Sequence, residues 1–242
     1  MNHQSTQTAA QSATKTAILT GAGSGIGLQT ARLLHEAGYK LMLVGRDKSK
    51  LDAVAAACGG AMTRTADIAD SSAVEAMVED ASKRLGRIDV LINNAGWTIM
   101  KPIGQYTAQE IESIFRLNAI GPCVAIARAL PHMVAGGGGC IVNVASMAVV
   151  NPFPGLFAYA AAKASLTLMV KSIVNEEGKK GVRAFAVAPG AVETPLLRSM
   201  FAEHTLPRRR ALAPEHVANI IMECVQGKRD SENGGTILIP SP

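Results

Sequence analysis

Aromatic side chains are scarce in this chain of 242 residues: five Phe, three Tyr and one Trp, 4% in all. Charge is sparse too, at 18% against 48% hydrophobic residues. A core made of Ala, Val, Ile and Leu suits buried parallel strands covered by helices. The net charge of +5, 24 basic minus 19 acidic groups, does not argue for nucleic acid. The one basic cluster, Arg208-Arg209-Arg210, has no interleaved aromatics, so it reads as a solvated loop. Cys58, Cys123, Cys140 and Cys224 lie far apart and form no C-x-x-C pair. Neither a zinc site nor a disulfide framework is expected, and a reducing cytoplasm fits best. No apolar run reaches the ~18 residues that span a bilayer, so no membrane partner is expected. Residues Met1 to Thr8 are polar and lack the apolar core of a signal peptide. Residues 1–13 are expected to form a floppy tail.

What is present is an alternation of strand-length apolar runs with helical spacing. The length suits one large α/β domain or two small ones, and no linker, repeat or composition shift divides it. Thr16–Thr20 reads as a buried strand that runs into Gly21-Ala22-Gly23-Ser24-Gly25-Ile26-Gly27. Helical spacing follows over 28–37 and stops at Gly38. Strand, glycine loop, helix is the dinucleotide-binding arrangement, in which backbone N–H groups approach a pyrophosphate at a helix N-terminus. Residues 40–44 form a second strand ending in Gly45-Arg46-Asp47. A carboxylate there would bind a free ribose 2′-hydroxyl, whereas an Arg accommodates a 2′-phosphate. Gly45 followed by Arg46 favours NADP(H). NAD(H) stays open, because Asp47 is one place further on and Arg46 also reads as an ordinary surface residue.

Further βαβ spacing continues through strands near 61–65 and 88–92, with Asp67-Ile68 after the first and Asn93-Asn94-Ala95-Gly96 after the second. Thr107 and Glu110 make a capping box that opens a helix expected to run to about Met133. Asn118 and Pro122 sit inside it, either tolerated or bending it. Residues 182–188 and 236–239 are strands, with a last helix from Pro214. The stretch 191–213 has no strong period, which predicts a lid.

Two features carry the chemistry. Ser146 ends the apolar run Cys140–Ala145, and Tyr159 and Lys163 stand four apart on the next helix, on one face. A neighbouring ammonium is expected to lower the tyrosine pKa from near ~10, making it an acid/base. Tyr-x-x-x-Lys alone is common on exposed helices, and only its company gives it meaning.

The ordered set Thr20-Gly21-x3-Gly25-Ile26-Gly27, Asp67, Asn93-Asn94-Ala95-Gly96, Asn118, Ser146, Tyr159-x-x-x-Lys163 and Pro189-Gly190 with Thr194 resembles the short-chain dehydrogenase/reductase family over residues 14–239. The resemblance implies a single doubly wound Rossmann-type α/β domain, sheet order 3-2-1-4-5-6-7. It implies Tyr159 as catalytic acid/base, Ser146 holding the substrate oxygen, Lys163 holding the nicotinamide ribose, and Asn118 supporting a water relay. Gly21, Ser24, Gly25, Ile26 and Gly27 would hold the pyrophosphate, with Arg46 at the ribose phosphate. Asp67 and Ile68 would meet the adenine. Asn94, Ala95 and Gly96 would line the cofactor, and Pro189, Gly190, Val192 and Thr194 the carboxamide. A homotetramer or homodimer is implied, packed through the helices that carry Asn118 and Tyr159. Two departures stand out: Ser24 replaces a basic residue common in the family, and the C-terminus reads Leu238-Ile239-Pro240-Ser241-Pro242 rather than Asp-Gly-Gly.

The expected activity is hydride transfer between nicotinamide and a ketone or secondary alcohol of largely apolar character. Substrate contacts are expected from Ser146, Tyr159, Trp97, Met147, Phe153 and Leu197, with Ile99, Met100, Val149, Phe157, Leu196 and Met200 as further candidates. A 3-oxoacyl thioester reductase and an NAD-dependent alcohol dehydrogenase are the enzyme alternatives. A catalytically silent dinucleotide-binding sensor is the alternative of another class, and the presence of Ser146, Tyr159, Lys163 and Asn118 together disfavours it.

Overall fold

A computed structural model describes residues 14–242; the tail expected over 1–13 lies outside the described residues. Seven strands form one parallel sheet in the order β3-β2-β1-β4-β5-β6-β7. They are β1 Thr16–Thr20, β2 Lys40–Gly45, β3 Met62–Thr65, β4 Val90–Asn93, β5 Gly139–Val144, β6 Val182–Pro189 and β7 Thr236–Ile239. The helices are α1 Gly25–Glu36, α2 Lys48–Ala57, α3 Ser71–Leu85, α4 Ala108–Phe115, α5 Gly121–Ala135, α6 Phe157–Glu177, α7 Pro195–Met200 and α8 Pro214–Val225.

Alternation along each strand divides the core in two. Ala17 and Leu19 of β1 pack with Ala31, Leu34, Val217 and Ile221 under α1 and α8. Ile18 between them faces the other way, toward Val74, Met77, Ile126, Leu166 and Val170 under α3, α5 and α6. Both faces of the sheet are thus covered, as parallel strands require. Helix boundaries follow local chemistry. Asp70 caps α3 by accepting from Ser72 N and Ala73 N, and Gly86 ends it with φ +82°.

One expected helix is two. The Thr107–Glu110 capping box forms, but the stretch to Ala135 is interrupted by a π-turn at Arg116–Ile120. Asn118 Nδ2 donates to the Ile114 carbonyl at 2.9 Å, competing with the backbone for it. Pro122 has no N–H to give the carbonyl four residues back, and Gly121 N donates to Arg116 O, five back. The turn places the Asn118 side chain inside the protein.

Residues 191–213 are also more ordered in pattern than their sequence indicates. Thr194 caps the short helix α7, Pro195 occupies its first turn, and Val192 bridges to Leu212. Two helical stretches, Ala108–Ala135 and Phe157–Lys180, are long and apolar enough to cross a membrane by length and composition, although no unbroken apolar run of that length was expected. Both lay buried apolar residues on the sheet, among them Ile126, Ala129, Leu166 and Val170.

Candidate active site

Strand order reverses between β1 and β4, so the loops leaving their C-terminal ends diverge. A cavity of about 860 Å³ lies along this crevice. Its floor begins at the glycine loop. Gly21 has φ +66° and Gly25 φ +54°, a conformation that side chains resist. A Cβ on Gly21 would stand 2.8 Å from Asn94 Nδ2, and one on Gly27 only 2.1 Å from the Gly21 carbonyl oxygen. Gly21, Gly23, Ser24, Gly25 and Ile26 line the cavity, whereas Gly27 is buried beneath it and permits close packing of helix on strand. Ser24 does not cap α1 with its side chain, so the first-turn N–H groups stay available to an anion.

Asn94 braces this loop. Its Nδ2 donates to the carbonyls of Thr20 at 2.9 Å and Gly21 at 3.1 Å, and its N–H donates to Thr20 Oγ1. Ala95 and Gly96 continue the lining. The neighbouring Asn93 turns into the sheet, donating to Asn143 Oδ1 at 2.9 Å.

Arg46, Asp67 and Ile68 line the far end. Arg46 is exposed there. Asp47 lines this end too, and its carboxylate caps α2 by accepting from Lys50 N and Ser49 Oγ. These hydrogen bonds, Ser49 first, hold its carboxyl below the usual range. Lys50 also lines this end, one helical turn beyond Arg46. The sequence signal for it was the cap itself, since the third helical position of α2 faces back toward the glycine loop.

The middle of the cavity holds Ser146, Tyr159 and Lys163. Ser146 Oγ accepts the Ala148 N–H at 3.2 Å, which leaves its hydroxyl proton free to donate. Tyr159 is pushed up to about 12 by burial, against a smaller opposite effect of the Ser146 hydroxyl. Lys163 is pushed down to about 8, again by burial. Its Nζ donates to the Val144 carbonyl at 2.7 Å and lies 5.7 Å from the centroid of the Tyr159 ring. Burial therefore opposes the lowering expected from a neighbouring ammonium. Desolvation dominates, and the Lys163 ammonium is itself desolvated and directed at a backbone oxygen.

Asn118 stands behind the cavity wall, fully buried. Its Nδ2 donates to Trp97 O at 2.8 Å, while Oδ1 has no partner among the described residues. A Cβ on Gly96 would lie 3.0 Å from that oxygen and 3.3 Å from Lys163 Nζ. The two polar atoms therefore flank one glycine.

Pro189, Gly190, Val192 and Thr194 line the wall opposite. Thr194 Oγ1 donates to Val192 O and accepts from Leu197 N. Beyond them the cavity turns apolar, with Met147, Phe153, Leu196, Leu197 and Met200. Trp97 does not line it and is 36% exposed. Ile99, Met100, Val149 and Phe157 are likewise outside the lining, Phe157 resting on Tyr106. Leu156, Phe201 and Leu206 take their places. Leu156 sits among Pro154, Gly155 and Phe157 and had no distinguishing signal, whereas Leu206 is an apolar residue in a polar stretch. Ser241 had none: it reaches the cavity because β7 pairs with β6, and its Oγ accepts the Ala191 N–H at 2.7 Å.

The residues present fit a nicotinamide dinucleotide. The cradle is one that a Cβ would fill, it ends at uncapped helix N–H groups, and two cations stand at the ribose-phosphate end.

A sequence profile described as short chain dehydrogenase matches residues 15–205. An uncharacterized oxidoreductase of Staphylococcus aureus (strain MW2) is 31% identical over 210 residues, 86% of this chain and 89% of the relative. Among solved structures, a levodione reductase superposes with TM-score 0.86 at 28% identity, covering 93% of this chain and 96% of the other. A 3-ketoacyl-(acyl-carrier-protein) reductase from Brucella melitensis, complexed with NADH, superposes with TM-score 0.87 at 29% identity over 93% and 96%. The chain therefore belongs to the short-chain dehydrogenase/reductase family, and it is an NAD(P)-dependent oxidoreductase of that family.

Proposed function

We propose that this protein interconverts a ketone and its secondary alcohol, both of largely apolar body, with NADP(H). The observation that carries the reading is the single cavity joining the glycine loop, Ser146-Tyr159-Lys163 and the apolar end. The bound nicotinamide supplies or accepts the hydride. The chain does the rest. Ser146, with its hydroxyl proton free, donates to the substrate oxygen. Tyr159 is a neutral phenol at neutral pH and gives that oxygen a proton in the direction of reduction. Lys163, held by the Val144 carbonyl, flanks Gly96 together with Asn118 Oδ1 and is placed to resupply the proton.

Preference for NADP(H) is supported by Arg46 and Lys50 at the adenosine end, and by the capping that engages Asp47. An apolar substrate is supported by Met147, Phe153, Leu156, Leu197 and Phe201, since pockets of this kind orient ligands with few polar groups. Exposed Ile120, Leu168 and Phe157, on the π-turn and on α6, support pairing of copies through those elements. A cytoplasmic, homotetrameric or homodimeric enzyme remains the reading for the whole molecule.

The test compares kcat/KM for a bulky uncharged ketone with that for a small keto acid. Each extra buried methylene should favour the former by about 0.8 kcal/mol. A clear preference for the keto acid contradicts the reading. A second reading, reduction of a 3-oxoacyl thioester on an acyl carrier, is favoured by exposed Arg208, Arg209 and Arg210 within the lid stretch. It requires the carrier-bound thioester to outperform the same acyl group on a short thiol.

A further inference from the structure

The apolar end of the cavity depends on one guanidinium. Arg198, in α7, donates from Nε to Glu193 Oε1 at 2.8 Å and from Nη2 to Oε2 of the same carboxylate. Its Nη1 turns the other way, to the carbonyls of Phe201 at 3.3 Å and Leu206 at 2.8 Å. A single planar group therefore ties the segment before α7 to two points in the loop after it. Glu193 is a fixed anchor, because its N–H donates to Leu212 O and Leu212 N–H donates to Ala191 O. The loop is not otherwise well fastened. Its own bonds are short-range, from Thr205 N and Leu206 N to Ala202 O. Its other ion pair, Arg208–Glu203, has side chains 68% and 59% exposed and contributes little. Arg198 and Glu193 are only 21% and 23% exposed.

The two carbonyls that Arg198 holds belong to residues whose side chains line the cavity. Phe201 meets Phe153 from the opposite rim edge to face, 5.6 Å between centroids. Displacing the Phe201 backbone would part that contact and open the wall.

We infer that Arg198 is a positioning residue for substrate selection: tying Glu193 to the Phe201 and Leu206 carbonyls sets the wall against which a bulky substrate packs. Arg is required in this role because its fork has donors on both edges. A Lys ammonium can pair with Glu193 but cannot span to both carbonyls. The inference rests on the reading of the apolar end as the substrate site.

Arg198→Met keeps the stem and removes the fork. With NADPH, kcat/KM for 2-tetralone should fall at least about tenfold, through KM, since small displacements of a binding wall are costly. Butanone, too small to touch the wall, should change less than about threefold on the same argument. NADPH affinity should stay as in the wild type. Arg198→Lys should lie between wild type and Arg198→Met on 2-tetralone. Equal losses on both ketones, a loss confined to kcat, or a fully competent Arg198→Lys would overturn the inference. Hydrogen exchange of the free protein separates this from the functional reading. Peptides covering 201–206 should exchange faster in Arg198→Met, with β1 and β4 unchanged. If the wild type reduces neither ketone, the functional reading fails, and unchanged exchange at 201–206 then also removes the strap.

Discussion

Lys163 Nζ lies 5.7 Å from the centre of the Tyr159 ring, yet its proton goes to the Val144 carbonyl, 2.7 Å away. The two side chains expected to act as an ion pair are thus neighbours that burial has pushed toward their neutral forms. Tyr159 rises and Lys163 falls, each through loss of solvent. Tyr159 is thus a protonated phenol at neutral pH, beside a lysine whose affinity for its proton burial has reduced.

A pH dependence of stability follows from these shifts. Lys163 falls from 10.5 to about 8 on folding, so between those values the unfolded chain binds more protons. The cost of burying its charge is fully present below pH 8 and is relieved as pH rises toward 10.5. Tyr159 rises from 10.0 to about 12, so its contribution is lost as pH climbs through that window. The stability difference between the wild type and Lys163→Met, measured by urea unfolding, should move in favour of the wild type by up to about 3 kcal/mol between pH 8 and 10.5. A flat difference would show that Lys163 titrates as in water.

At the other end of the cavity, Arg46→Ala should weaken NADPH binding by about 10- to 100-fold, the worth of one charge-assisted contact. NADH binding should hardly change. Titration of intrinsic or nicotinamide fluorescence measures both constants, and equal wild-type affinities for the two cofactors would refute the assignment.

Asn118 is both buried and bonded at the π-turn, so its replacement is a stability experiment as well as a kinetic one. Asn118→Ala leaves the Trp97 and Ile114 carbonyls without their side-chain donor. A fall of about 1–3 kcal/mol in unfolding free energy is expected for such a loss. Asn118→Asp should be worse, because it sets an acceptor against two carbonyl oxygens. Unfolding midpoints unchanged in both variants would mean that the turn does not need the amide.

Much of this was legible in the residues. Strand-length apolar runs set most of the sheet, because parallel strands buried on both faces have little polar to show until they end; β3, Met-Thr-Arg-Thr at the sheet edge, is the exception. The glycine loop, Ser146, Tyr159 and Lys163 came from local spacing. Other features depend on contacts between distant segments. The π-turn arises from Asn118 and Pro122 acting together on one stretch of helix. Phe201 and Leu206 fall inside the cavity because a loop's path depends on what fastens it, here Arg198; Trp97 falls outside and Leu156 inside on other loops. Ser241 reaches the site only through the register of β6 with β7. Burial raises Tyr159, and that was not legible, because proximity on a helix says nothing of how dry the pair becomes.

The most direct measurement is the initial rate of NADPH oxidation, with 2-tetralone as substrate, in wild type and Tyr159→Phe. The ring is kept and only the phenolic proton is removed. The account expects turnover to fall by about 10²–10⁴-fold, with the dissociation constant for NADPH little changed. A Tyr159→Phe enzyme that turns over near the wild-type rate would contradict it.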